Sequence, residues 1–371
     1  MAPPKITILL VDDSLVVRHL VAAELAKDPA LEVLAPAANG RAALARIATA
    51  PPDAVILDVE MPELDGLETL RAIRKAHGAL PVIMFSTLTD HGAAATLDAL
   101  ALGANDYVAK PGSANNTAGQ IGPVCRELAD KIKELCTSSR GPVVAPKLPP
   151  RPPPPRLAQP RPAVSRRVGE IVVIAASTGG PNALVELLCG LPPDVPVPFL
   201  IAQHMPPVFT RLLADRLAEK AQLPVVEGQA GDLIQPGKVW IAPGDYHMVV
   251  QRRGTRLEIG VNQAARENSC RPSADVLFRS AAAVYGPGVV GVVMTGMGQD
   301  GLKGCEAISA NRGQILAQDE ASSVVWGMPG FVARAGLADA VVPLADLADQ
   351  IMSRVRRPAA ESVREVTRGS L

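Results

Sequence analysis

The chain has 371 residues, 48% hydrophobic and only 3% aromatic, with a mean hydropathy of +0.18 and a formal net charge of zero. That length predicts two domains, and so aliphatic a composition predicts cores of Val, Leu, Ile and Ala inside parallel sheets covered on both faces. The charge is uneven, net −5 over residues 1–136, +7 over 137–167 and −2 over 168–371, so neither end carries the basic footprint of a nucleic-acid-binding domain.

The first 136 residues alternate short aliphatic runs with helical patterns. ITILLV, LEVLA, DAVILD, PVIMF and NDYVA read as strands. Between them, Leu15–Ala26 and Gly66–His77 carry apolar residues at three- and four-residue spacing. Five βα units of this size predict a doubly wound parallel sheet of the flavodoxin-like type, whose site lies at the carboxyl ends of the strands. Those ends hold Asp12 and Asp13, then Asp58, then Ser86 and Thr87, then Lys110 and Pro111. Carboxylates converging in one crevice repel each other, and a hard divalent cation relieves the repulsion; Mg²⁺ suits an all-oxygen site with few protein ligands. A carboxylate beside such a cation, with a lysine and a hydroxyl opposite, can attack a phosphoryl group.

The order DDS, LDVEMPELDG, KPG resembles the receiver domain of two-component response regulators over roughly residues 5–123. The resemblance implies Asp58 as phosphoacceptor, with Asp12, Asp13, Asp58 and the Glu60 carbonyl around Mg²⁺. It further implies Lys110 as the partner of the phosphoryl group, Ser86 as the hydroxyl that follows it, and a histidine kinase as phosphodonor. A DNA-binding output is excluded by the size and slight acidity of the rear half.

Residues 141–163 contain ten of the chain's 35 prolines. Proline fixes φ and removes a donor, so this stretch reads as an extended spacer. The expected organisation is a receiver domain over 1–136, a Pro/Arg-rich linker over 137–167, a second domain over 168–357 and a polar tail over 358–371.

The rear domain begins βαβ, with IVVIAA, a helix over about Pro181–Cys189, and FLIAQ. A hairpin-like middle comes next (VWIAP, HMVVQ, RLEIG), and α/β alternation returns at VVGVVMTG. Ser177 ends the first run in AASTGGP, without the lysine of a P-loop or the glycine spacing of a dinucleotide fold. A serine on such a turn is a candidate nucleophile, and it requires a base and an orienting acid. Of the five histidines only His204 and His247 lie in this domain. His204 follows the neighbouring strand, whereas His247 falls inside a strand pattern and reads as a packed or surface imidazole. Asp300, in VVMTGMGQDG, is the acid candidate. The chain order Ser, His, Asp differs from that of α/β-hydrolases.

ASTGGP, QHMPPVFT, VWIAPGDYHM, RPSADVLF and TGMGQDG together resemble the catalytic domain of the chemotaxis receptor methylesterases, the CheB family, over about residues 168–357. The resemblance implies a second α/β domain, Rossmann-like, with a parallel sheet and a hairpin. It implies an enzyme, a hydrolase with Ser177 as nucleophile, His204 as base then acid, Asp300 orienting His204, and the Met297 N–H as oxyanion donor with Thr178 beside it. It also implies glutamyl methyl esters on chemoreceptors as substrates, glutamine deamidation, no cofactor for the esterase chemistry, and control by phosphorylation. The rival reading is a non-catalytic, phosphorylation-gated adaptor that only binds receptors. Before RPS the family often carries Asn-Arg-His; here Glu267-Asn268-Ser269-Cys270-Arg271 stands instead, with Cys270 read as a passive replacement rather than a second nucleophile.

Five scattered cysteines without C-x-x-C spacing read as free thiols of a reducing compartment. No apolar stretch approaches the roughly 18 residues of a membrane span, and Ile6–Val11 is too short for a signal-peptide core. The expectation is a soluble, cytoplasmic protein without membrane insertion.

Overall fold

A computed structural model describes residues 4–111, 117–139 and 168–356. The Pro/Arg-rich spacer and the polar tail lie outside the described residues, apart from 137–139, which continue the last helix of the front domain.

The front domain places strands β1 (Ile6–Val11), β2 (Leu31–Val33), β3 (Ala54–Asp58), β4 (Val82–Ser86) and β5 (Asp106–Ala109) in one parallel sheet of order β2-β1-β3-β4-β5. Helices α1 (Leu15–Leu25), α2 (Gly40–Thr49), α3 (Gly66–Ala76), α4 (Asp90–Ala101) and α5 (Thr117–Ser139) cover it. This is the expected doubly wound order, with the chain reversing between β1 and β3. The helix starts are written locally. Ser14 accepts from the Val17 N–H, and Asp65 and Glu68 form a reciprocal capping box, which satisfies amides that the helix leaves unbonded.

The rear domain has a seven-stranded parallel sheet. Its strands are β6 (Ile171–Ala176), β7 (Phe199–Gln203), β8 (Val225–Glu227), β9 (Val239–Ile241), β12 (Val289–Val293), β13 (Gln314–Gln318) and β14 (Ala340–Val342), in the order β14-β13-β12-β6-β7-β9-β8. Strands β10 (His247–Arg253) and β11 (Arg256–Asn262) form a separate antiparallel hairpin. Helices α6 (Gly180–Cys189), α7 (Phe209–Lys220), α8 (Ala274–Tyr285), α9 (Leu302–Ala310), α10 (Met328–Arg334) and α11 (Leu347–Val355) complete the domain. One expectation is corrected: VWIAP does not join the hairpin, because β9 pairs in parallel with β7 and β8. Strands β6, β7 and β12 are wholly buried, as continuous aliphatic runs sandwiched between helices must be.

The two domains share one apolar core. Leu97, Leu100 and Tyr107 of the front domain pack with Ala183, Leu184, Phe209 and Leu213 of the rear one. The Tyr107 and Phe209 rings stack with centroids 4.6 Å apart and planes 9° from parallel. Charged contacts flank the stack, Arg211 to Asp90 at 2.7 Å and Arg216 to Asp98 at 3.0 Å.

Candidate active site

The front pocket gathers the residues the sequence singled out. Carboxylate oxygens of Asp12, Asp13 and Asp58 lie within 4.8 Å of one another. Lys110 Nζ stands 2.8 Å from Asp12 Oδ2 and 2.7 Å from Asp58 Oδ2. Asp12 Oδ2 is buried, and the Lys110 ammonium is its partner. Burial disfavours the charged form of Asp58 and, with the charge of Asp12, outweighs the pull of Lys110, so its pKa is raised to about 6. Three carboxylates gathered so closely are a cluster of hard oxygen donors that fits a divalent cation such as Mg²⁺. The Glu60 amide donates to Asp58 Oδ1 at 3.3 Å, which turns this loop towards Asp58. Ser86 is buried and donates to the Gly92 carbonyl at 3.0 Å, away from Asp58, while its own carbonyl receives the Lys110 amide at 2.7 Å.

In the rear domain, neighbouring strand ends bring the serine and histidine segments side by side. Strand β7 pairs with β6, and the His204 amide donates to the carbonyl of Ala176, the residue before Ser177, at 3.1 Å. The Ser177 turn is tied from several sides. The Ser177 N–H donates to the Thr295 carbonyl at 3.0 Å, and its own carbonyl accepts from Gly180 N at 2.7 Å and Gln203 Nε2 at 3.0 Å. Gly179 adopts φ 77°, and a Cβ there would meet Val324 Cγ2 at 2.6 Å, so the turn requires glycine. The Ser177 hydroxyl makes no hydrogen bond among the described residues. The Met297 N–H, on the loop after β12, likewise donates to no described residue.

Asp300 is held far more tightly. It is 2% exposed. It accepts from His204 Nε2 at 2.7 Å, Asn268 Nδ2 at 2.9 Å, Ser273 Oγ at 2.8 Å, and the amides of Ala274 at 2.6 Å and Asp275 at 3.2 Å. The two amides open α8, whose N-terminal dipole favours an anion. Burial alone would raise the Asp300 pKa, but the hydrogen bond and charge of His204, with Ser273 and Ala274, hold it well below the usual carboxylate range. Asp275 goes the other way: burial and the charge of Asp300 raise it, against the Gly304 amide at 2.7 Å.

His204 Nε2 is thus committed to Asp300, and Nδ1 is the nitrogen that remains. Cys270 Sγ stands 3.5 Å from Nδ1. The thiol therefore faces the candidate base. Burial works against a charged His204, while the Cys270 sulfur and Asp300 draw its pKa upward. His247 is packed: it is buried, Nδ1 accepts from the Ser273 amide at 3.2 Å and Nε2 lies 3.1 Å from the Ala265 carbonyl. It thereby braces the loop that delivers Ser273 to Asp300. Sequence reasoning missed Asn268 and Ser273. The only signal for Ser273 was its place just before a helical pattern.

Thr178, next to Ser177, donates its hydroxyl to Asp106 Oδ2 of the front domain at 2.5 Å. Asp106 also pairs with Lys131 at 2.9 Å. Nearby, Asn182 donates to the Leu100 carbonyl at 2.7 Å. The front domain therefore grips the residue adjoining the candidate nucleophile.

Comparison with known proteins agrees with both halves. Residues 172–351 match the family model described as CheB methylesterase, and residues 8–121 match the response regulator receiver domain. The chain is 48% identical over 363 residues to a protein-glutamate methylesterase/protein-glutamine glutaminase of Trichodesmium erythraeum, covering 95% of this chain and 99% of the relative. The chain belongs to the CheB methylesterase family. A family member from Nocardioides sp., bearing the same name, is 48% identical over 355 residues, covering 95% of this chain and 96% of the relative. The crystal structure of the Thermotoga maritima CheB methylesterase catalytic domain is 37% identical, covering 50% of this chain and 99% of that one, with a TM-score of 0.49. Among the described residues, no helix is long and apolar enough to cross a membrane.

Proposed function

We propose that this family member hydrolyses glutamyl methyl esters on methyl-accepting chemoreceptors, and deamidates receptor glutamines, under the control of phosphorylation at Asp58. The observation that carries the reading is the seating of His204, held at Nε2 by a fully bonded Asp300 and joined through its backbone to the residue before Ser177. In this mechanism His204 Nδ1 takes the Ser177 proton as the hydroxyl oxygen attacks the ester carbonyl. The carbonyl π electrons move onto oxygen, which accepts a hydrogen bond from the Met297 N–H. Collapse expels methoxide, which takes the proton from His204 and leaves as methanol. Water, deprotonated by His204, then releases Ser177 and a free glutamate. Asp300 stays ionised throughout and fixes the imidazole.

In the receiver, Asp12, Asp13, Asp58 and the Glu60 carbonyl would hold Mg²⁺, which supplies charge neutralisation at a transferring phosphoryl group. Asp58 accepts that group from a histidine kinase, Lys110 pairs with its oxygens, and the Ser86 hydroxyl turns from Gly92 to follow it. The same reading puts the protein in the cytosol, where such a kinase works. The adaptor alternative leaves the bonded histidine–aspartate pair without a task. Methanol release from methylated receptor, measured with and without a small phosphodonor plus Mg²⁺, tests the proposal. Release that rises with the phosphodonor is expected; no release under either condition would refute it.

A further inference from the structure

The histidine that serves Ser177 has a second nucleophile beside it. Cys270 Sγ lies 3.5 Å from His204 Nδ1, while Nε2 is occupied by Asp300 at 2.7 Å. Thiol, imidazole and orienting acid therefore stand in relay through Cys270, which is the arrangement that activates a thiol.

The loop holds the sulfur there. Glu267 and Cys270 exchange backbone hydrogen bonds at 3.2 and 2.8 Å. Arg279 clamps the Glu267 carboxylate with two hydrogen bonds, at 2.8 and 2.6 Å. Asn268 and Ser269, both at positive φ, turn the chain back, and Asn268 fastens the turn to Asp275 and Asp300 at 2.9 Å each. Cys270 is half-buried, whereas Cys125, Cys136 and Cys305 are buried.

We infer that Cys270 is an oxidation site whose attack by a small peroxide switches off the esterase. His204 takes the thiol proton as sulfur attacks one peroxide oxygen. The S–O bond forms and the O–O bond breaks. The departing hydroxide takes the proton from His204 and leaves as water. Sulfur is oxidised by two electrons to a sulfenic acid, and the peroxide is reduced by two. The added oxygen lies against Nδ1, the nitrogen that Ser177 needs, so the base is blocked until a thiol reductant removes it. The loss of activity rests on the role proposed for His204; the chemistry at sulfur does not.

The full chain carries its own control in Cys189, which is exposed and whose sulfur donates to the Lys220 carbonyl at 3.5 Å. After brief hydrogen peroxide treatment, trapping with a sulfenic-acid-specific dione and peptide mass analysis should label Cys270 at least tenfold faster than Cys189. His204→Gln should remove that advantage. Methanol release by the wild type should fall in step with labelling and return with dithiothreitol, which does not reverse methionine oxidation. Cys270→Ala, whatever its starting rate, should keep that rate after peroxide. Labelling of Cys189 at an equal or greater rate would overturn the oxidation site. Rapid labelling of Cys270 with unchanged methanol release would overturn the switch, and a wild type that releases no methanol before treatment would count against the esterase reading instead.

Discussion

The two sites stand at the same place in two parallel sheets, yet their acids are treated in opposite ways. Asp300 collects donors from a histidine, an asparagine, a serine and two amides of α8, and its carboxyl is held strongly ionised. Asp58 has one lysine and one distant amide, a buried carboxylate neighbour, and a pKa raised to about 6. Saturation suits a residue that must stay put while a proton passes through its neighbour. Under-satisfaction suits a residue whose charge state is to be changed by an incoming cation and phosphoryl group.

The largest expected effect comes from breaking the rear site. Ser177→Ala is expected to lower methanol release by about a thousandfold or more, since removing a nucleophile leaves only binding and oxyanion contributions. A wild-type rate would show that the turn has another use. A smaller effect, of opposite sign, should come from parting the domains. Deleting residues 1–140, or more mildly Tyr107→Ala in the full chain, is expected to raise unphosphorylated activity about tenfold, as loss of a closed state favoured by ~1.4 kcal/mol would. Unchanged or lower basal rates would argue that the Tyr107–Phe209 contact does not restrain the enzyme.

The subtlest effect tests the front site. A carboxyl with a raised folded pKa stabilises the fold at pH below its usual 3.8, and that contribution is lost as pH rises through about 6. In Mg²⁺-free buffer at pH 7.5, Asp58→Asn is therefore expected to gain about 1–2 kcal/mol in urea unfolding, a gain that vanishes below pH 4. Mg²⁺ should stabilise the wild type more than the variant, which keeps Asp12 and Asp13 but loses one carboxylate. A variant less stable than wild type at pH 7.5 would mean that the lysine pairing dominates.

What the sequence disclosed was what its local chemistry writes. Aliphatic runs ended by Asp12, Asp58, Ser177 and His204 mark strand ends directly, and a parallel sheet then dictates that they converge. The three-residue strand β9 is too short to display a period, so nothing in VWIAP separates it from the hairpin strands that come after it. The grip of Asp106 on Thr178 spans 72 positions of sequence, and neither residue looks unusual alone. The position of Cys270 depends on two left-handed residues and an Arg279 clamp, none of which a pattern of residue types reveals.

The hydroxyl of Thr178 rests on a carboxylate that belongs to the other domain, one peptide bond from Ser177. Receivers are interchangeable as folds but not as governors. A foreign receiver spliced onto this catalytic half would keep this contact and the stacked rings only if it brought an acid to the position of Asp106 and a ring to that of Tyr107.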